Sequence, residues 1–380
     1  MNDKEKELYN LRRPDPNNFN YYFDKITSRF IKSRQNEIGY PNKVLFIRND
    51  NIGDMVQSTQ AFRELKKVFP NVKISVLATK INKSIIEKDD NIDNIIEIDL
   101  FWRRGFKGFL DYLKVLRKIR KEKFDVGIDM RKSKLNIFFF LFIPKIKNRI
   151  SYYNVNGGKA FLTHPIIYPS KIRDIQEDIG IINKAFNLNI TNYWPHIITD
   201  KEDENNIKEF LETNKLKKYI VISPGATAES KKWSEEKFDE LIKRFHKKYL
   251  NYKIIVTGGP SDSEIIKKLC NNNPNITLPL IGFNLRKLSI ILRRAEAVIA
   301  HDGGVASITW VSDGKLIQLN AGVDLDMLGP PKNSLVISHK LDCYPCNWSK
   351  PCKKPCGVWC MDLISVDEVM DAIKKTFSKE

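Results

Sequence analysis

Asp54 stands where a carboxylate could take a proton from a bound hydroxyl, after an apolar run and at the start of a helix. The run Val44-Leu45-Phe46-Ile47 has the length and residue types of a buried parallel strand. Residues 48–54, Arg-Asn-Asp-Asn-Ile-Gly-Asp, then form a polar loop whose Gly53 relaxes the backbone before a helix expected over about 55 to 68. Val56, Phe62, Leu65 and Phe69 give that helix an inward stripe, and Pro70 ends it. A strand's carboxyl end meeting a helix's amino end is the edge at which open α/β sheets bind ligands. Asp also caps helices, so the segment alone leaves both roles open for Asp54.

The second half carries a matching pair of loops. Residues 219–223, Tyr-Ile-Val-Ile-Ser, read as a buried strand, and the small-residue loop Pro224-Gly225-Ala226-Thr227 lets a ligand approach the backbone. Lys231-Lys232-Trp233 follows, ahead of a helix opened by Ser234 with Glu235 and Glu236 in its first turn. Later, Ala297-Val298-Ile299-Ala300 leads into His301-Asp302-Gly303-Gly304. Free N–H groups at the start of the helix after Gly303 would form an anion site, and Lys231 would add a point charge to a diphosphate. A Gly-Gly turn into a helix is common in any doubly wound sheet, so the phosphate reading rests on both loops together.

Strands and helices that alternate throughout 380 residues, 42% of them hydrophobic, fit two cores rather than one. The expected organisation is an N-terminal extension (1–42), a first domain (43–200), a second domain (201–362) with a Cys-rich loop at 343–360, and a final helix (363–380). The first domain is read to end near Asp200, at a polar stretch (201–206) ahead of a helix containing Phe210 and Leu211. In the second domain the pattern predicts strands at 219–223, 253–257, 276–281, 297–300 and 315–319. The helices between them are expected at 234–249, 262–271, 285–294 and 304–311. Such alternation demands a parallel sheet.

With these motifs in place, the chain resembles glycosyltransferase family 9, the ADP-heptose lipopolysaccharide heptosyltransferases. The motifs that carry the resemblance are residues 43–54 (Lys-Val-Leu-Phe-Ile-Arg-Asn-Asp-Asn-Ile-Gly-Asp), 223–233 (Ser-Pro-Gly-Ala-Thr-Ala-Glu-Ser-Lys-Lys-Trp), 300–304 (Ala-His-Asp-Gly-Gly) and 360–364 (Cys-Met-Asp-Leu-Ile), in the family's order. The resemblance implies an α/β chain of GT-B fold, two Rossmann-like domains whose parallel sheets face each other across a cleft. It implies an ADP-sugar held mainly by the C-terminal domain, an acceptor held by the N-terminal one, and a final helix that packs back across the first domain. Asp54 matches the family's general base. Thr227 and Lys231 match donor-phosphate contacts, with Gly225 in the same loop, and Asp302, Gly303 and Gly304 match the donor-site turn. Asn51, Gly53 and Arg131 are assigned to the acceptor side. The chain departs from the Asp-Thr-Gly turn of many members at Gly303, and has Ser307 where they have histidine. Asp262 and Glu264 stand near the family's acidic nucleotide contact without a firm alignment.

The implied chemistry is an inverting transfer. Negative charge developing on the leaving diphosphate would be met by Lys231 and helix-start amides, and Asp54 would deprotonate the acceptor hydroxyl. Neither a redox cofactor nor a catalytic metal is expected, since no Asp-x-Asp pair lies beside these loops. The expected reaction moves heptose from ADP-heptose to a lipopolysaccharide inner-core acceptor. The alternative is a related transferase with a protein acceptor, as in autotransporter heptosyltransferases, or with another nucleotide-sugar donor.

The net charge of +18 is lopsided. Residues 1–200 hold 36 Lys and Arg against 23 Asp and Glu, and 15 of those basic residues, against 4 acidic, fall in 101–150. This cationic stretch is either a solvated helix face or a surface for an anionic glycolipid or membrane, and Phe101, Trp102, Phe106, Phe109 and Leu110 beside it would suit an interface. Nucleic acid is not an expected partner, because the charge is spread over helices with no known binding module. The apolar run 137–143 is short of the roughly 20 residues a spanning helix needs. It is read as a buried helix face with a lipid-touching patch as the alternative. No signal peptide opens the sequence, and a cytoplasmic enzyme, peripheral to the inner membrane, is expected. An added amphipathic helix is expected near 21–32. Cys343, Cys346, Cys352, Cys356 and Cys360 could hold a structural zinc or iron ion or be free thiols, while Cys270 stands apart in a helix.

Overall fold

The computed structural model describes residues 37–98, 105–153, 156–169, 174–325, 333–346, 352 and 359–378. The helix expected near 21–32 lies outside the described residues, as do Phe101, Trp102, Cys356 and the side chains of Phe106 and Phe109. The chain divides between Pro195 and His196 into two compact units.

In the first unit, β1 (Lys43–Arg48), β2 (Lys73–Ala78), β3 (Asn94–Glu97), β4 (Val126–Asp129), β5 (Asn148–Tyr152) and β6 (His164–Ile166) form a six-stranded sheet in the order β3-β2-β1-β4-β5-β6. Every pairing is parallel. Its helices include α1 (Ile52–Val68), α2 (Gly105–Glu122) and α3 (Asp174–Phe186). The second unit repeats the plan with β7 (Tyr219–Ser223), β8 (Lys253–Gly258), β9 (Thr277–Ile281), β10 (Val298–His301), β11 (Leu316–Leu319) and β12 (Ser334–Ile337), ordered β12-β11-β10-β7-β8-β9 and again parallel. Its helices include α4 (Lys201–Thr213), α5 (Glu235–Lys248), α6 (Ser263–Asn272), α7 (Leu285–Arg294), α8 (Gly304–Val311) and α9 (Val366–Phe377).

Each strand order reverses direction at one place, between β1 and β4 in the first sheet and between β7 and β10 in the second. At such a switch point the loops leave neighbouring strands in opposite directions and open a crevice at their carboxyl ends. Register brings the loops side by side: Ile47 pairs with Asp129 and Ala300 with Ser223.

The central strands are buried on both faces, so they read as continuous apolar runs; Val44, Leu45, Phe46 and Ile47 are all fully buried. One cluster in the first unit joins Leu45, Ile47 and Leu77 to Tyr112 and Ile119 of α2 and to Phe140 and Leu141. The second unit's core gathers Ile220, Ile222, Trp233, Phe238 and Phe245 with Val369 and Ile373 of α9.

Two sequence expectations change here. The final helix does not keep its apolar face for the first domain: Val366, Val369, Met370, Ala372 and Ile373 are all buried within the second unit's cluster, next to α5. The polar stretch 201–206 is not ahead of a helix but is its first turns. Asp200 caps α4 in a reciprocal box with Asp203, and Asp203 also forms a buried ion pair with Arg286 of α7. Acidic side chains favour the positive end of a helix, so a run of them marks its beginning as readily as a linker.

Candidate functional site

Helix α1 starts at Ile52, earlier than the sequence suggests, with Asn51 at its N-cap position, so Asp54 lies in the first turn and is not the capping residue. Its carboxylate is held from below by that same Asn51, whose Nδ2 donates to Asp54 Oδ2 at 2.8 Å. Ser58, one turn on, bonds to the Asp54 carbonyl at 2.9 Å. The carboxylate is therefore fixed by local backbone geometry and one amide, at the carboxyl end of the central strand β1.

Beneath it lies a buried charge network that the sequence reading missed. Arg48 is 4% exposed. Its Nη2 donates to both oxygens of Asp178 on α3, at 2.6 and 2.8 Å, its Nη1 to Asp50 Oδ2 at 3.2 Å and its Nε to Ser58 Oγ at 2.7 Å. Burial works against the guanidinium's charge, but Asp178, Asp50 and Asp54 outweigh it and hold Arg48 well above its ordinary pKa. The neighbouring α3 residue, Glu177, accepts from Lys132 at 2.5 Å and from Tyr168 at 2.9 Å. Consecutive acids on one helix thus clamp the loop after β1 and the loop after β4, the two sides of the switch point. Lys132 reaches Glu177 from a left-handed backbone conformation, φ 59°, which is uncommon for a non-glycine residue.

Arg131 sits on that second loop, within the electrostatic reach of Asp50. Asp129 supports it from the end of β4. This fully buried carboxyl accepts from Ser133 N at 2.8 Å and from Asn136 Nδ2 at 3.1 Å, and Asn136 bridges to Asn49 at 2.9 Å. Burial pushes Asp129 up to about 6. Asp50 also rises to about 6, mainly through burial, with Asp54 adding to the effect and Arg48 and Arg131 opposing it. Asp50 Oδ1 is buried without a hydrogen-bond partner, a state that costs free energy in a finished core but occurs where a site awaits a ligand or water.

In the second unit the two predicted donor loops meet directly. Lys231 Nζ lies 3.2 Å from Asp302 Oδ2, both side chains being mostly buried. Trp233 anchors the loop that carries Lys231: it is 1% exposed, and its Nε1 donates to the Ile364 carbonyl at 2.8 Å. Thr227 lies exposed on the same loop. Gly303 and Gly304 follow Asp302 and open α8. A Cβ at Gly303 would meet nothing closer than the His301 carbonyl at 4.0 Å, so the fold leaves room there for the threonine it lacks.

Gly225 is required for another reason. A Cβ there would fall 2.4 Å from the Asp262 carboxyl, which also presses on Gly258 and accepts from Gly259 N at 2.8 Å. Asp262 therefore belongs to the donor-loop cluster, whereas the sequence left its place undecided. His301 was also missed. Its Nε2 accepts from Trp233 N at 2.9 Å and its Nδ1 lies 3.1 Å from the Gly225 carbonyl, an arrangement that requires the neutral ring protonated on Nδ1. Asp302 and Gly225 are thereby tied together through the ring between them. The signal was available, since a histidine ending an apolar strand in a glycine-rich motif needs a buried partner.

Burial lowers His301 to about 4. The unfolded chain takes up this proton first as pH falls, so the ring's contribution is fully present above about 6.5 and is lost as pH drops towards 4. Asp50 and Asp129 act with the opposite sign: their folded forms bind protons more readily, so acidification from about 6 to 4 favours the first unit. We expect the His301 ring to stay neutral down to about pH 4 in a side-chain NMR titration; a midpoint near 6.5 would contradict the arrangement.

Cys343, Cys346, Cys352 and Cys360 line one small cavity with His339 and Trp359. Burial pushes the Cys360 thiol up, with Cys346 and Cys352 adding to the shift. Among the described residues, no group of three or more Cys, His, Asp or Glu side chains is placed to hold a metal ion, so the structural-metal expectation finds no support there. Cys270 is buried apart from them, in α6.

Known proteins resemble this chain in sequence and fold. The family model described as glycosyltransferase family 9 (heptosyltransferase) matches residues 112–356. Lipopolysaccharide heptosyltransferase 3 of Escherichia coli is 20% identical over 294 residues, covering 75% of this chain and 85% of that protein. Among solved structures, a glycosyl transferase family 9 protein from Veillonella parvula superposes with a TM-score of 0.72 at 18% identity, covering 92% of this chain and 99% of that one. The ADP-heptose LPS heptosyltransferase II of E. coli gives 0.72 at 16% identity, covering 89% and 99%. The fold is GT-B, two Rossmann-like parallel-sheet domains.

Proposed function

The chain belongs to glycosyltransferase family 9, and from that premise we propose that it transfers heptose from ADP-heptose to a lipopolysaccharide inner-core acceptor with inversion at the anomeric carbon. The observation that carries this reading is the pairing of Lys231 with Asp302 at 3.2 Å, where the β7 and β10 loops and the start of α8 converge. A diphosphate seated there would draw Lys231 towards its oxygens and leave Asp302 to face the sugar. Backbone N–H groups at the start of α8, after Gly303, would meet the same oxygens, as they do at helix starts that bind phosphate. Charge that grows on the departing ADP is then stabilised more strongly in the transition state than in the ground state.

Asp54 supplies the complementary step. Its Oδ2 is held by Asn51, leaving the carboxylate oriented to take the proton of the acceptor hydroxyl as the new glycosidic bond forms. Gly53, beside it in the first turn of α1, and Arg131, on the loop after β4, would form the acceptor side, with Arg131 meeting an anionic group on the acceptor. His301 and Asp262 act as positioning residues that hold the Gly225 loop against the donor turn.

Incubating the protein with ADP-heptose and truncated lipopolysaccharide, and reading the glycolipid by mass spectrometry, tests this directly. A mass gain of one heptose supports it. Transfer to protein alone, or only from another nucleotide sugar, would favour the second reading, which the Gly303 and Ser307 departures motivate. We further expect Lys231→Ala to weaken ADP binding by roughly 10- to 100-fold, the value of a lost charge-assisted contact. Isothermal titration would show it, and a change of less than twofold would remove Lys231 from the phosphate site.

A further inference from the structure

The apolar run after β4 is not simply the buried helix face the sequence first suggests. A short helix (Lys134–Asn136) continues as a π-helical turn (Ile137–Phe142), and only Ile137, Phe140 and Leu141 of that turn are buried. Phe138, Phe139 and Phe142 are half-buried, while Leu135 and Ile143 are 51% and 38% exposed. Leu135, Phe139 and Ile143 are spaced four apart and form one outward stripe. Phe138 and Phe142 stack beside it with ring centroids 5.9 Å apart. Phe139 meets Tyr112 of α2 edge-on at 5.4 Å, and α2 adds Leu110, 44% exposed.

The segment that carries this stripe holds charge of one sign, while α2 brings Asp111, paired with Lys114, beside Leu110. Residues 131–149 contain six Lys and Arg and no Asp or Glu, and Lys145 and Lys147 are exposed next to Ile143. Arg149 lies over the Phe142 ring at 5.6 Å. An apolar face whose own segment carries only cations suits a bilayer interface with anionic headgroups: the rings enter the acyl boundary and the lysines meet the phosphates. A neutral or cationic protein partner would gain nothing from those cations. Among the described residues, no helix is long and apolar enough to cross a membrane, so the face would lie on the surface rather than span it.

We propose that the 135–143 stripe with Lys145 and Lys147 docks the first unit on an anionic lipid bilayer. The inference deepens the glycolipid-acceptor reading and rests on it for its purpose. Arg131, on the acceptor side, is only four residues before Leu135, so a lipid chain held at the stripe leaves its sugar close to the loops after β1 and β4.

Co-sedimentation of the full chain with vesicles of phosphatidylglycerol and phosphatidylcholine, against phosphatidylcholine alone, tests the docking. The wild type should partition at least tenfold more strongly onto the anionic vesicles. The double variants Leu135→Glu with Ile143→Glu, and Lys145→Glu with Lys147→Glu, should each lose roughly tenfold or more of that binding. All four side chains are exposed, and an unchanged denaturant-unfolding transition of the first unit would show that the variants are folded. Wild-type binding that is equal on neutral vesicles, unchanged binding in either variant, or a dimer in sedimentation equilibrium that the Leu135 and Ile143 changes dissolve would each overturn the proposal. Vesicle binding by a protein inert towards ADP-heptose and lipopolysaccharide would instead overturn the acceptor reading and leave the docking surface standing.

Discussion

Asp54→Asn should lower heptose transfer by about 10²- to 10⁴-fold, the usual contribution of a positioned general base, while ADP binding stays within about twofold of wild type. Asparagine keeps the size of the side chain and its approach to Asn51, so the loss isolates proton acceptance from shape. Single-turnover rates with ADP-heptose, set beside titration of ADP alone, separate the two effects. Retention of more than a tenth of the activity would remove the carboxylate from the chemistry. An equal loss of ADP binding would mean that Asp54 acts on the donor, contrary to the division of labour between the units.

The second large effect belongs to a residue far from any reacting atom. Asp178→Ala would leave the Arg48 guanidinium buried with only the weaker Asp50 contact and Ser58, and breaking a buried pair in this way costs about 3–5 kcal/mol. Denaturant unfolding should show the loss in the transition of the first unit, and the second unit's transition should keep its midpoint. Asp178→Asn, which preserves a hydrogen-bond acceptor, should recover part of the stability. A loss below about 1 kcal/mol for the alanine variant would show that Arg48 finds water or another partner. Because Arg48 also fixes Asp50 beneath the Asp54 loop, the stable fraction of the variant should be slowed in transfer as well.

Local chemistry explains which elements were legible. The helices expected at 234–249, 262–271, 285–294 and 304–311 emerge at Glu235–Lys248, Ser263–Asn272, Leu285–Arg294 and Gly304–Val311. Ser234 and Asn284 cap two of them with side-chain oxygens, as their residue types suggest. The short apolar run 219–222, β-branched and bounded by turn residues, reads as a strand buried on both faces, and is one. The loops that follow β1, β7 and β10 fall where the sequence placed them, after apolar strands and ahead of helices, although the residue types alone left capping and ligand binding both open. The start of α1 was missed by three residues because Ile52 and Gly53 are poor local helix signals, and packing of the first turn decides it.

Arg48 and Asp178 lie 130 positions apart, and nothing local to either announces the other. The same holds for His301, whose neutral form depends on a backbone N–H at Trp233 and a carbonyl at Gly225, and for Asp262, whose carboxyl fills the space that Gly225 leaves open. Alternation of apolar strands and capped helices in the second unit, which depends on neighbours in the chain, was settled by the amino-acid order alone, and with it that unit's parallel sheet. Which side chains meet at the strands' carboxyl ends, which of them hold their protons, and which aromatic rings stay open to the outside were decided only by the packed fold, because burial and long-range contact set those energies.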